Sequence, residues 1–228
     1  MRSPWSTHLL PSVAVVEEAT LADWTASVQA EEEEPVATAA GRRRREFAAG
    51  RSCARRALGR LGWTGAQVPV GALGEPLWPP GVVGSITHCE SYCAVAVAAQ
   101  PDVGGIGIDA EVETEIAEGV REAVCTPEER RWIADQRGHD WTVLFFSAKE
   151  SIYKLWYPAM GSWLDYQDAE LVLDLRNRRF QAQIRRPIDS GRFPSNLTGQ
   201  FALQPGRVLT AITLSCSPHP SGTASSAS

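Results

Sequence analysis

Between residues 41 and 61 the apolar side chains Phe47, Ala54, Ala57, Leu58 and Leu61 recur at helical spacing, and Gly62 ends the run. Arginines fill the other faces of that helix. The Gly- and Pro-rich stretch 71–84 reads as loop, while 82–89 and 92–99 read as strands. The turn signal PDVGG then leads into Gly105-Ile106-Gly107-Ile108-Asp109-Ala110-Glu111, which predicts an antiparallel hairpin between 92–99 and this strand. Thr126-Pro127-Glu128-Glu129 has the marks of a helix start: a capping threonine, proline at the first helical position and a glutamate three residues after the cap. A longer helix is predicted over 140–157, with Trp141, Leu144, Phe145, Ala148, Ile152, Leu155 and Trp156 on one face. Strands follow at 169–175, 180–184, 199–203 and 208–214, with turns at RNRR and QPG. Each half is thus helix followed by antiparallel strands. That order predicts an α+β protein of two similar lobes, 1–104 and 105–214, with a disordered tail over 215–228.

Composition keeps this picture and narrows the function classes. With 228 residues, 43% hydrophobic and 21% charged, the chain has enough sequence for a proper core and is not of the disordered kind. A net charge of -5 argues against a nucleic-acid or anionic-membrane partner for the protein as a whole. Charge is uneven, however: Glu31 to Glu34, followed by Pro35, read as a solvated loop, and Arg42 to Arg45 form a basic block soon after. The cysteines, Cys53, Cys89, Cys93, Cys125 and Cys216, are odd in number and include no C-x-x-C pair. That favours reduced thiols in a cytoplasmic protein over disulfides or zinc. No apolar signal region opens the chain, and the longest apolar run, 92–99, is too short to span a bilayer.

Candidate chemistry starts at the end of GIGIDAE. In a strand, Asp109 and Glu111 point the same way, and two such carboxylates raise each other's pKa unless a cation lies between them. A strand running out into a solvated acidic loop would look the same, and a D-x-E pair alone is more often that. On the 140–157 helix, Phe146, Glu150, Tyr153 and Tyr157 form one stripe, so Glu150 sits among aromatics. It is either paired with Lys154, for ~0.3 kcal/mol, or a third ligand beside Lys149 and Lys154. Two or three acids without clustered His or Cys suit Mg²⁺ bound with a polyphosphate. Arg43 and Arg51, with Arg44 and Arg55 on a neighbouring stripe, supply guanidinium forks for phosphate, or else a solvated face. Gly74-Glu75-Pro76 alone is a turn, and a lone His88 is more often structural than catalytic.

Taken in order, GRRRREFAAGRSCARRAL, GEPLWP, GSITHC, GIGIDAE and FSAKESIYKLWYP resemble the motif set of the 4'-phosphopantetheinyl transferases, in particular the Sfp-type and enterobactin-synthase-type group with its actinobacterial members. The resemblance runs from about residue 41 to residue 214, and the pairing of GIDAE with F-S-A-K-E-x-x-Y-K is its most specific part. It implies a pseudo-twofold fold and an enzyme that moves the phosphopantetheine arm of coenzyme A onto a serine of an apo acyl or peptidyl carrier protein. The implied co-product is 3',5'-ADP and the implied metal Mg²⁺, with Mn²⁺ as a substitute. By the same resemblance Asp109, Glu111 and Glu150 are metal ligands, and Glu150, directly or through a metal-bound water, is the base for the serine hydroxyl. Lys149 and Lys154 would stabilise charge on the diphosphate, Arg43 and Arg51 would hold the adenosine 3'-phosphate, Thr87 and His88 would contact the coenzyme A phosphates, and Gly74, Glu75 and Pro76 would line the adenine pocket.

Two departures stand out. Many relatives carry a basic residue just before Gly-Glu-Pro, where this chain has Val70 and Leu73, so one phosphate contact is missing or falls to another arginine. Glu129 matches a glutamate sometimes linked to the family's metal site, but its place in a capping box ranks the structural role first. A cytoplasmic monomer acting on fatty-acid, polyketide or nonribosomal-peptide carriers is expected. A non-catalytic coenzyme A or carrier-protein binding module is the alternative, ranked lower because Asp109, Glu111, Glu150 and Lys154 are all present. A nucleic-acid binder using Arg42 to Arg45 ranks lower still.

Overall fold

The arginine-rich stretch folds as its apolar stripe predicts, into a helix over Gly41–Arg60 that ends at Gly62, whose φ of 94° suits only glycine. The structure is a computed structural model that describes residues 5, 9–27, 32, 41–136, 141–188 and 193–216. In chain order its elements are β1 (Val15–Glu18), α1 (Gly41–Arg60), β2 (Val82–Cys89), β3 (Tyr92–Ala99), β4 (Gly105–Val112), α2 (Glu118–Val124), α3 (Pro127–Asp135), α4 (Thr142–Met160), β5 (Ala169–Asp174), β6 (Arg179–Ile184), β7 (Asn196–Gln204) and β8 (Arg207–Leu214). They form two antiparallel sheets, ordered β1-β3-β2 and β4-β8-β7-β6-β5. One long helix packs on each. Cys53, Ala54, Ala57 and Leu58 of α1 meet Val95 and Val97 of β3, while Leu144, Phe145, Ile152 and Trp156 of α4 share a core with Phe180, Phe201 and Ile212. Burial of these stripes, at roughly 25 cal/mol per Å² of apolar surface, holds helix to sheet.

The element boundaries follow the sequence closely, with three differences. Helix α4 passes Pro158 and ends at Met160, because a proline so near the end removes one backbone bond without stopping the last turn. Gly161, left-handed at φ 63°, then closes that turn by donating to the Tyr157 carbonyl. Its expected start near 140 abuts residues 137–140, which lie outside the described residues, as does the tail from 217 onward. The second difference is at the acidic run. Glu32 is fully buried, accepting from Arg55 Nη1 at 2.7 Å and from the Val68 amide at 3.3 Å, so a side chain expected in a solvated loop is in fact a buried ion-pair partner. Its neighbours in that run lie outside the described residues.

The third difference places the site. The predicted hairpin between β3 and β4 does not form. Strand β3 has β1 on one edge and β2 on the other, so it has no edge to offer, and β4 pairs instead with β8 in the register Gly105↔Leu214 to Val112↔Arg207. The other edge of β4 faces β2 and is met by side chains: Ser85 Oγ accepts from the Ile108 amide at 3.1 Å, and Thr87 Oγ1 accepts from the Ala110 amide at 2.9 Å. These hydroxyls satisfy buried donors that would otherwise be orphaned.

Gly107 is where β4 and α4 come together. A Cβ there would lie 1.9 Å from the Ser151 carbonyl oxygen and 3.0 Å from the Leu155 nitrogen, both backbone atoms that cannot rotate away. Gly107→Ala is therefore expected to destabilise the protein by about 2–3 kcal/mol through overpacking, which thermal unfolding would show as a Tm lower by roughly 6 °C. An unchanged Tm would mean that the helix and strand are not pressed together there.

Candidate active site

A cleft of about 290 Å³ opens between α1, the 71–76 loop, β2 and the second half of α4. Along α1, Arg43, Phe47 and Arg51 line it at four-residue steps. Arg51 is 4% exposed, its guanidinium lies 4.4 Å over the Phe47 ring, and its buried Nε has no hydrogen-bond partner. Burial pulls its pKa down to about 10, so it stays cationic at neutral pH but poorly solvated. A buried cation with an unmet donor is poised for an anion.

Four further arginines of the helix are engaged elsewhere. Arg55 pairs with Glu32, Arg56 with Glu17 and Asp23, Arg60 with Glu17, and Arg42 with Glu46 on the same helix. Arg55 therefore drops out of the phosphate-binding stripe that spacing had drawn, because a carboxylate distant in sequence reaches it first.

Gly74, Glu75 and Pro76 form the opposite wall. Gly74 takes φ 92°, the Gly71 amide donates to the Glu75 carbonyl at 2.8 Å, and the Glu75 carboxylate folds back onto the Leu73 amide at 3.0 Å. The turn expected from Gly-Glu-Pro is present, and Val70 and Leu73 bring no charge to it. His88 also lines the cleft, with its Nδ1 3.9 Å from Glu46.

From the other side, α4 contributes Glu150, Tyr153, Lys154 and Tyr157. The pair expected between Glu150 and Lys154 is not made. Lys154 Nζ instead reaches across to Asp109 Oδ1 at 2.6 Å, and Glu150 Oε1 accepts from the Tyr166 hydroxyl. Burial, and then the hydrogen bond to Glu150 followed by its charge, keep Tyr166 protonated far above the usual phenol range. Phe146 packs against Tyr166 with ring centroids 5.7 Å apart, and Tyr153 against Trp163 at 4.9 Å, so Glu150 has the aromatic surroundings its stripe predicted.

Asp109 is 3% exposed. Its Oδ1 accepts from Thr87 at 3.2 Å and from Lys154, while Oδ2 is buried with no hydrogen-bond partner. Glu111, half-buried, is pushed up to about 7 by burial first and by the Asp109 charge second. Thr210, opposite Asp109 in the ladder, bonds to Ser147 on α4 through its hydroxyl, which locks helix to strand at that level. Among the described residues no three His, Cys, Asp or Glu side chains gather tightly enough to cage a metal unaided. An orphaned carboxylate oxygen beside an acid that resists ionisation nevertheless fits a hard divalent cation that takes most of its shell from elsewhere.

Two residues expected to touch phosphate face away from the cleft. Thr87 is 1% exposed and spends its hydroxyl on Asp109 and the Ala110 amide. Lys149, adjacent to Glu150, turns into the protein. Its side chain is 1% exposed and its three donors go to the Val124 carbonyl at 2.8 Å, Glu129 Oε2 at 2.7 Å and the Tyr166 carbonyl at 2.9 Å. That accounts for every N–H of an ammonium group, so the diphosphate contact implied for Lys149 is not available in this geometry. Glu129 is equally committed, capping α3 through the Thr126 amide at 2.7 Å and accepting from the Leu171 amide at 2.7 Å. Its structural role is the one the structure shows.

The residues of the cleft and its acids fall within two stretches that match known family models. The N-terminal domain model of 4'-phosphopantetheinyl transferases matches residues 31–98, and the 4'-phosphopantetheinyl transferase superfamily model matches residues 105–202. The chain is 41% identical over 225 residues to the 4'-phosphopantetheinyl transferase Svp of Streptomyces mobaraensis, covering 95% of this chain and 90% of that protein. It is 37% identical to the transferase Npt of Nocardia iowensis (87% and 96% covered) and 38% identical to the transferase PptT of Mycobacterium tuberculosis (80% and 85% covered). With identity of this order along nearly its full length and both family models in register, the chain is an enzyme belonging to the 4'-phosphopantetheinyl transferase superfamily.

Proposed function

We propose that the protein transfers the 4'-phosphopantetheine arm of coenzyme A to a serine of an apo acyl or peptidyl carrier protein, with Mg²⁺, releasing 3',5'-ADP. The observation that carries this reading is the orphaned Oδ2 of Asp109, set beside Lys154 at the edge of a cleft whose far wall holds the buried cation of Arg51. Such a cleft binds an elongated polyanion with its diphosphate at the acid end. Arg43 and Arg51 hold the adenosine 3'-phosphate, the Gly74-Glu75-Pro76 wall receives the base, and Lys154 neutralises charge on the oxygen that leaves. Asp109, Glu111 and Glu150 would hold the metal, which supplies charge neutralisation at the diphosphate when bound. The serine oxygen attacks the β-phosphorus, the bridging P–O bond breaks, 3',5'-ADP departs, and Glu150 accepts the hydroxyl proton. Positioning and electrostatics suffice for such a displacement, and no covalent enzyme intermediate is needed.

Mass spectrometry of apo carrier proteins from fatty-acid, polyketide and nonribosomal-peptide systems, incubated with coenzyme A, Mg²⁺ and this protein, tests the reading. A phosphopantetheine adduct on a serine is the expected result, abolished by a chelator; no adduct on any carrier would reject it. No helix among the described residues is long and apolar enough to cross a membrane.

Glu111 makes a second, independent check. Its folded pKa of about 7 lies above the ordinary 4.5, so the folded state binds the proton more tightly than the unfolded chain. The contribution is full below pH 4.5 and is lost as the pH rises through 7. Without divalent cations, wild-type Tm should fall over that window more than the Tm of Glu111→Gln, and Mg²⁺ should restore the lost wild-type Tm near pH 7.5, about one half-unit past the midpoint, by taking the proton's place. Parallel pH profiles for the two proteins would show that neither burial nor the Asp109 charge raises the Glu111 pKa in the folded protein.

A further inference from the structure

We propose that Tyr166 is a positioning residue for the transfer, its hydroxyl fixing the Glu150 carboxylate in the cleft, and that Lys149 acts through it. The inference rests on the reading of Glu150 as ligand and base. Tyr166 opens a short 3-10 turn, Tyr166–Asp168, that is rigid on its own account: the Gln167 amide donates to Asp165 Oδ1 at 2.9 Å, and the Asp165 amide to Asp168 Oδ2 at 3.1 Å. The Tyr166 ring packs on Phe146, its carbonyl accepts from Lys149 Nζ, and its hydroxyl donates to Glu150 Oε1.

These contacts close a ring. Lys149 and Glu150 are neighbours in sequence whose side chains leave α4 on different sides, and Tyr166 joins them again, by its backbone to one and by its side chain to the other. The lysine is itself anchored to Glu129, so the aim of Glu150 is tied to the capping box of α3. The tie is needed because Glu150 has three side-chain torsions and a second place to go: a space of about 110 Å³ lined by Tyr153, Trp163, Leu164 and Tyr166 opens directly beside it. With Oε1 held by Tyr166, one oxygen remains for the cleft.

Tyr166→Phe removes the hydroxyl and keeps the ring on Phe146. In the full-length protein, kcat is expected to fall about tenfold while KM for coenzyme A stays within about twofold, since supporting contacts of this kind act on the aim of a group and not on substrate binding. Mn²⁺ binding in the presence of coenzyme A, followed by the EPR signal of free Mn²⁺, should weaken by a similar factor of about ten. In a Glu150→Gln background, Tyr166→Phe should add almost nothing to either loss. Unchanged kcat and unchanged Mn²⁺ affinity would overturn the proposal, as would full additivity with Glu150→Gln, or a fall in kcat matched by a fall in Tm and a rise in KM. Should the wild-type protein modify no carrier at all, the transfer reading fails on its own, and the Mn²⁺ comparison still decides whether Tyr166 holds Glu150.

Discussion

Asp109→Ala is expected to lower turnover by about a thousandfold or more while the protein stays folded, an effect of the size seen when a preorganised electrostatic group is removed from a reacting centre. The loss should fall on kcat. Coenzyme A would still meet Arg43 and Arg51 along α1, so its dissociation constant measured without divalent cation should change little. Stability should also hold, for two reasons. The substitution removes a buried carboxylate oxygen that has no partner, and Lys154, 27% exposed, can turn to water when its acid is gone. Turnover by mass spectrometry, calorimetric titration with coenzyme A and a melting curve separate the three quantities. Near-normal turnover would reject Asp109 as a ligand; lost turnover together with lost coenzyme A binding would point to a collapsed cleft.

Lys149→Met should act mainly on stability, with a fall in kcat of about the tenfold expected of Tyr166→Phe because Lys149 reaches Glu150 through Tyr166. The side chain keeps its length and loses its charge, leaving Glu129 buried without its cation, and breaking a buried pair from one side costs about 3–5 kcal/mol. A chain of this size would then melt roughly 10 °C lower. Burial already pushes the Lys149 ammonium toward its neutral form, so the pair is held against a desolvation cost and a lone Glu129 would be worse off still. Had Lys149 gripped the diphosphate, the variant would lose kcat and keep its Tm. The two outcomes are far apart, and melting curves beside turnover numbers distinguish them.

Much of the fold was readable because its signals are local. The stripe of α4, the alternation of β6, the Thr126 capping box and the glycine after α1 each report on a few neighbouring residues, and all lie where the patterns put them. What was not readable depended on which partner arrives from afar. The partner of β4 turned on β3 having both edges taken, and β1, which takes one of them, is four residues without a strong pattern. Glu32 looked like one of four solvated acids because nothing near it in sequence shows Arg55 approaching. Lys149 is different, since its burial was legible: it stands four residues after Phe145 and three before Ile152, on the buried side of the helix. The motif in which it is embedded outweighed the helical wheel. Tyr166 left no such trace, because its meeting with Glu150 depends on how a later turn folds back along α4.

The seam between β2 and β4 carries one more consequence. A backbone ladder between two strands can slide by two residues and remake its bonds, but a seam stitched by Ser85 and Thr87 hydroxyls offers those acceptors at only two places on β2. A slip by one residue would bring Gly84 and Ile86 to face β4, neither with a side-chain acceptor, and both amide donors would be stranded. The halves of the molecule therefore index against each other as a key does in a lock, all or nothing. Because Thr87 also holds Asp109, the tooth that sets this register is the one that sets the reactive acid.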